Sequence, residues 1–147
     1  MAKPLAQRHP GRSKTLDYYD RHAEAYARAT QPIDLSMAHS KFAYYARPTG
    51  LVLDVGSGSG RDTLALMRLG FRVEAIDASP KMAAMSSEFT GVATRVVCIE
   101  SLEDFGRYDA LWVNAVLLHV PENGQVDVLV RIRNSLKPRG IAYLSYK

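Results

Sequence analysis

The stretch "LVLDVGSGSGRDTLALMRLG", residues 51–70, constrains the fold more than any other part of the chain. An apolar strand runs straight into alternating glycines, and an amphipathic segment follows without a spacer. A glycine turn between a strand and a helix lets the backbone approach a ligand closely and aims the first helical amides at it. It also sends the chain across the sheet, so the next strand must lie parallel to the first.

The segments that follow obey that constraint. Short apolar runs "RVEAID", "RVVCI", "ALWVNAV" and "IAYLSY" alternate with helical stretches "SPKMAAMSSEF" and "NGQVDVLVRIRNSLK", the pattern of a parallel sheet with crossover helices. Ser79 is placed to cap the helix that Pro80 opens, since proline there gives up no amide bond. In the last helix, Val126, Leu129, Val130 and Leu136 are expected to form the face that packs on the sheet. Ahead of residue 51, two helices are read from Leu16, Tyr19, Ala23 and Tyr26, and from Leu35, Ala38, Phe42 and Tyr45. Pro48 closes the second.

The 147 residues make one domain of ordinary size, and 47% apolar with 23% charged residues is globular composition. The net charge of +4 draws on Lys3, Arg8, Arg12 and Lys14. Residues 1–14 read as a disordered basic tail, and residues 15–147 as a single domain whose first part, 15–47, is helical. Lys and Arg are mixed with acids beyond that tail, which argues against a nucleic-acid partner. The four histidines and one cysteine show no zinc or di-metal spacing, so no metal site is expected. Cys98 is expected to be a buried structural thiol. No window approaches the roughly 20 apolar residues of a membrane span, and the chain is expected to be cytoplasmic.

Gly56, Gly58 and Gly60 form G-x-G-x-G, and Arg61 stands where the dinucleotide fingerprint has its third glycine. That weakens a nicotinamide-dependent oxidoreductase reading. Asp54 before the glycines and Arg61 after them suit a zwitterionic amino-acid tail better than a pyrophosphate. Asp77 ends the next strand, where an acid can grip a ribose diol. Glu100 falls at the third strand's tip, in the zone where open parallel sheets bind ligands.

With "YYDRHAEAYA" ahead of "LDVGSGSGRDTLAL", then "VEAIDASPKM", "YDALWVNAVLLHVP" and "LKPRG", the chain resembles the class I S-adenosylmethionine-dependent methyltransferases of the small-molecule, tellurite-resistance-like type. The resemblance runs from about Thr15 to the C-terminus. It implies an α/β Rossmann-like parallel sheet of five strands in the order 3-2-1-4-5, helices on both faces, and an N-terminal helical lid. The family's usual C-terminal antiparallel strand pair is lacking. The fifth strand would then be an open apolar edge, so the chain is expected either to be a shortened form of a longer protein or to form a homodimer through that edge.

The resemblance further implies that Asp54, Gly56, Ser57 and Gly58 line the methionine moiety of S-adenosylmethionine, and that Asp77 and Ala78 hold the ribose. Glu100 and Ser101 lie beside the adenine, where Asp is the commoner residue, and Asn114 is a further cofactor contact. Arg61 either pairs with the cofactor carboxylate or is a solvated surface arginine. His119 and Tyr18 are the candidate catalytic residues: His119 orients the acceptor or takes its proton, or else is a backbone-bonding histidine. The expected function is methyl transfer to a small-molecule acceptor by in-line displacement, with a non-catalytic S-adenosylmethionine-binding module as the alternative.

Overall fold

A computed structural model describes residues 10–146. Strands β1 (Leu51–Val55), β2 (Arg72–Asp77), β3 (Thr94–Val96), β4 (Tyr108–Val113) and β5 (Leu136–Leu144) form one sheet in the order β3-β2-β1-β4-β5. Every pairing between them is parallel. Helices α1 (Pro10–Thr30) and α2 (Ser36–Tyr45) precede the sheet, and α3 (Arg61–Arg68), α4 (Pro80–Thr90) and α5 (Glu122–Ser135) link its strands. No helix among the described residues is long and apolar enough to cross a membrane.

Both faces of the sheet are covered, which is why its central strands read as nearly continuous apolar runs. Leu53, Val55, Leu111 and Val113 point one way, into a core closed by Val128 and Ile132 of α5. Val52, Ala110 and Trp112 point the other way, against Phe42 of α2 and Leu66 of α3. Trp112 is the centrepiece of that second layer. Its ring stacks on Tyr143 at 4.0 Å and meets Phe42 edge-on at 5.3 Å.

The glycine loop behaves as the motif requires, with one refinement. Gly60 caps α3 in the left-handed region at φ 89°. A Cβ there would sit 2.6 Å from Thr90 Cγ2 of α4. Gly60 therefore permits the close approach of two helices, so Arg61 costs the packing nothing. Ser79 caps α4 as expected, its Oγ accepting from the Met82 amide at 3.1 Å, and Gly91 closes that helix at φ 76°.

Several expectations need correcting. Helix α1 already includes Pro10, consistent with proline's tolerance for a first turn, so the stretch read as a tail is helical from there; residues 1–9 lie outside the described residues. Strand β3 is only three residues long, because the chain leaves the sheet after the Val97 amide bonds Asp77 O at 3.0 Å. Cys98 is consequently half-buried at the start of a 3₁₀ turn, Ile99–Ser101, and not a core thiol. On α2, Tyr45 is exposed and His39 is buried in its place.

Helix α5 is rotated from the expected face. Val128, Ile132 and Ser135 are buried at helical spacing, while Val126, Leu129 and Val130 are exposed. The helix ends at Ser135 and the chain enters β5 at once, with "KPRG" inside the strand around a register shift opposite Tyr108 and Ala110. Proline and glycine belong at such an irregularity. Ile132→Ala should therefore lower unfolding stability by about 2–4 kcal/mol, whereas Val126→Ala should change it by no more than about 0.5 kcal/mol. Urea denaturation of the two variants measures this, and equal losses would contradict the burial assigned to α5.

Candidate functional site

The carboxyl ends of β1, β2 and β4 and the underside of α1 line a partly open cleft. It lies where open parallel sheets bind ligands, beside the point at which the strand order reverses between β1 and β4. Gly56 and Gly58 form part of its floor, Asp77 and Ala78 stand at the tip of β2, and Asn114, Ala115, Val116 and His119 follow β4. Met82, Val97 and Ile99 give it an apolar end, and Leu16, Tyr19 and Tyr26 of α1 roof it over.

The loop is fixed by backbone bonds to β2. The Gly56 and Ser57 amides both donate to Ile76 O, at 2.8 and 3.0 Å. The Gly58 amide donates to Asp77 Oδ2 at 2.8 Å and the Ser79 amide to Oδ1 at 2.9 Å. One acid thus ties the glycine loop to the start of α4. Gly58 has φ +55°, and a Cβ on it would lie 3.6 Å from Tyr26 Cε1 and 3.7 Å from Met82 Cε, filling the cleft. A Cβ on Gly56, at φ +69°, would strike Val116 Cγ2 at 2.5 Å. Bare backbone is what keeps this space available.

Helix α1 is fastened over the cleft at three points. Tyr19 Oη and His119 Nε2 are 3.1 Å apart, Ser79 Oγ donates to Asp20 Oδ1, and Arg61 donates to Thr30 O at 3.0 Å. Burial, with Tyr26 and Asp77 nearby, pushes the Tyr19 hydroxyl up to about 12. It therefore keeps its proton near neutral pH. Tyr18, a candidate from sequence, is exposed on the outer side of the helix, one residue and about a quarter-turn away from the roof. Tyr19 holds the place expected of Tyr18, and the stripe Leu16, Tyr19, Ala23, Tyr26 was the signal for it.

Among the other expected residues, Gly56, Gly58, Asp77, Ala78, Asn114 and His119 are brought together at the cleft. Asp54 is not, because strand alternation turns it toward α3. It is 1% exposed and accepts from Thr63 Oγ1 at 2.6 Å. Burial, reinforced by the charge of nearby Asp62, pushes its carboxyl up to about 8, which favours the neutral acid there. Ser57 is sealed beneath the loop, its Oγ buried. The 3₁₀ turn sends Ile99 into the cleft, buries the Glu100 carboxylate oxygens apart from it and exposes Ser101.

Arg61 is not among the residues that line the cleft either, and is bonded instead to its neighbour. Its Nε and Nη2 grip both oxygens of Asp62, each at 3.0 Å. Asp62 in turn accepts from His39 Nε2 at 2.9 Å, Trp112 Nε1 at 3.0 Å and Asn114 Nδ2 at 3.4 Å. Burial opposes its charge, but the bonds from His39 and Arg61 outweigh burial and hold the carboxyl well below the usual carboxylate range. Sequence reasoning missed His39 and Asp62. An acid in a helix's first turn is too common a feature to stand out.

A doubly wound sheet with a bare-backbone loop, an acid at the tip of β2 and an apolar slot beside it defines a protein built to hold a nucleoside cofactor. The chain belongs to the methyltransferase-domain family, whose sequence profile matches residues 52–140, and it has the class I S-adenosylmethionine-dependent methyltransferase fold. It is 35% identical over 124 residues to the ubiquinone biosynthesis O-methyltransferase of Xanthomonas campestris pv. campestris, covering 80% of this chain and 50% of that protein. The 1,6-didemethyltoxoflavin-N1-methyltransferase of Burkholderia thailandensis, solved with 1,6-didemethyltoxoflavin and S-adenosylhomocysteine, superimposes at TM-score 0.67 with 27% identity, over 94% of this chain and 63% of that one. DhpI in complex with S-adenosylhomocysteine superimposes at TM-score 0.77 with 26% identity, over 92% and 69% of the two chains. The chain spans about half the length of the curated relatives it matches first.

The buried acid Asp54 yields a test of this electrostatic layout. An unfolded aspartate releases its proton near pH 4, roughly, whereas the folded carboxyl keeps it up to about 8. The folded state binds the extra proton between those values, so Asp54's contribution to stability falls as pH rises through that window. Asp54→Asn should lose this dependence, gaining on the native chain between about pH 5 and about pH 8 in urea denaturation. A stability gap independent of pH would show that Asp54 is ionised in the fold.

Proposed function

We propose that the chain transfers a methyl group from S-adenosylmethionine to a small-molecule acceptor. The observation that carries this reading is the division of one cleft into an apolar slot, an acid at the tip of β2 and a polar turn after β4, floored by glycine backbone. Met82, Val97 and Ile99 suit the flat face of an adenine. Asp77 suits ribose hydroxyls, since each carboxylate oxygen can accept a second bond beside its backbone amide. Gly56, Gly58 and Asn114 then meet the methionine end.

S-adenosylmethionine, when bound, supplies a methyl group already activated on a sulfonium, which leaves by in-line displacement. The chain's own residues must align the acceptor and exclude water. Tyr19, Tyr26 and Leu16 roof the cleft and exclude water. His119 lines the cleft, and its Nε2 exchanges the Tyr19 hydroxyl for the acceptor, whose proton it takes or which it orients. The relatives named above are an O-methyltransferase and an N-methyltransferase, which supports an oxygen or nitrogen acceptor bearing a removable proton.

Titration calorimetry with S-adenosylhomocysteine should show binding, weakened roughly 10- to 100-fold in Asp77→Ala. Unchanged affinity would remove Asp77 from the site, and binding of NAD in its place would remove the methyltransferase reading. His119→Ala should keep that affinity while lowering turnover about 10²- to 10⁴-fold at neutral pH, measured as labelled methyl transfer across a panel of phenols, enols and heteroaromatic N–H acceptors. Cofactor binding without turnover on any acceptor would favour the non-catalytic module.

A further inference from the structure

Asn114 and Ala115 make a turn that nothing in their own sequence enforces. Ala115 stands at φ 55°, a left-handed conformation that alanine adopts at a cost and that persists only where its surroundings impose it. On the glycine-loop side, Val116 Cγ2 occupies the space that a Cβ on Gly56 would need, 2.5 Å from it. Its hold comes from a residue beyond the last strand. Ser145 Oγ accepts from the Ala115 amide at 2.8 Å and donates to Asn114 Oδ1 at 2.6 Å. Ser145 is itself fixed by its amide, which bonds Val113 O at 3.1 Å.

The same hydroxyl settles which way the Asn114 amide points. With Oδ1 taken by a donor and Nδ2 directed at Asp62 Oδ2, 3.4 Å away, the flipped amide would set a carbonyl oxygen against a carboxylate. Ser145 and Asp62 thus lock one orientation from opposite ends. One N–H and one lone pair of the amide are left for whatever occupies the cleft that Asn114 lines. Ser145 lies outside the segment that matches the family profile, residues 52–140.

We infer that Ser145 is a positioning residue of this cleft, acting through Asn114 and Ala115. It touches neither cofactor nor acceptor in this role. It presets the polar wall between β1 and β4, so that binding does not have to order it. The functional half of the inference rests on the proposed binding of S-adenosylmethionine; the turn itself does not.

Two variants and two readouts test it. In the ligand-free protein, Ser145→Ala should speed hydrogen exchange at the Ala115 amide by roughly 5-fold or more while the Val113 amide is unchanged, and Ser145→Thr should restore protection. In calorimetry, Ser145→Ala should weaken S-adenosylhomocysteine binding by roughly 5-fold, and Ser145→Thr should recover most of it. A purely structural serine would lower the thermal midpoint without moving affinity, and that result overturns the inference. So does native exchange at Ala115 in Ser145→Ala, or equal weakening by both variants. If the native chain fails to bind S-adenosylhomocysteine, the cofactor reading falls, while the Ala115 exchange still decides whether Ser145 holds the turn.

Discussion

The Asp62 carboxylate, with only 9% of its side chain exposed, is the constraint on which the rest of this structure depends. An isolated buried charge would cost several kcal/mol. Here it is met by donors from α2, from its own neighbour on α3, from near the carboxyl end of β4 and from the turn after β4. The Arg61 guanidinium supplies the paired, fork-like contact that holds a carboxylate best, and its remaining donor reaches the last carbonyl of α1. Removing the Arg61 guanidinium would break a buried ion pair, a change of about 3–5 kcal/mol, whereas a well-formed bond from a neutral donor to the charge is worth about 1.5–3 kcal/mol. A single acid therefore joins both N-terminal helices to the sheet.

Placing one charge there determines its neighbours. Asp54 shares the same face of the sheet, and Asp62's charge adds to burial in keeping Asp54 protonated. The two buried acids are thus pushed in opposite directions, Asp62 toward the charged form and Asp54 toward the neutral one. Acids that face the ligand differ in kind: Asp77 sits at a strand tip, partly open, with backbone amides on each oxygen. Alignment of the cleft comes from this polar layer below it, and closure comes from α1 above, where Tyr19, Asp20 and Thr30 each make one attachment.

Much of this was legible in the chain because the signals are local. A strand, a glycine loop and a helix in succession force a parallel crossover, and the five strands could be read from their apolar runs, whereas their order, β3-β2-β1-β4-β5, was implied by the family resemblance. Gly56, Gly58, Asp77, Ala78, Asn114 and His119 all lie at strand ends or in the turns after them, and the fold carries such positions to one edge. What stayed hidden depends on direction or distance. Asp54 and Arg61 flank the loop in sequence, yet alternation turns one beneath the sheet and Asp62 captures the other. Val126, Leu129 and Val130 look like a helix's inner face, but the sheet takes Val128 and Ile132. The pairing of Asp62 with His39 and Trp112, and of Ser145 with Asn114, joins residues far apart in the chain, and no spacing encodes it.

The most direct test of a nucleoside methyl-donor cleft at these strand ends is a residue-resolved map of amide shifts on titrating S-adenosylhomocysteine into the native chain. The expected result is a contiguous set of perturbed amides at Gly56, Gly58, Asp77, Ala78, Asn114 and Ala115, with Ile99 beside them and the amino-terminal ends of β4 and β5 unmoved. Perturbations confined to the opposite edge of the sheet, or none at saturating ligand, would contradict it.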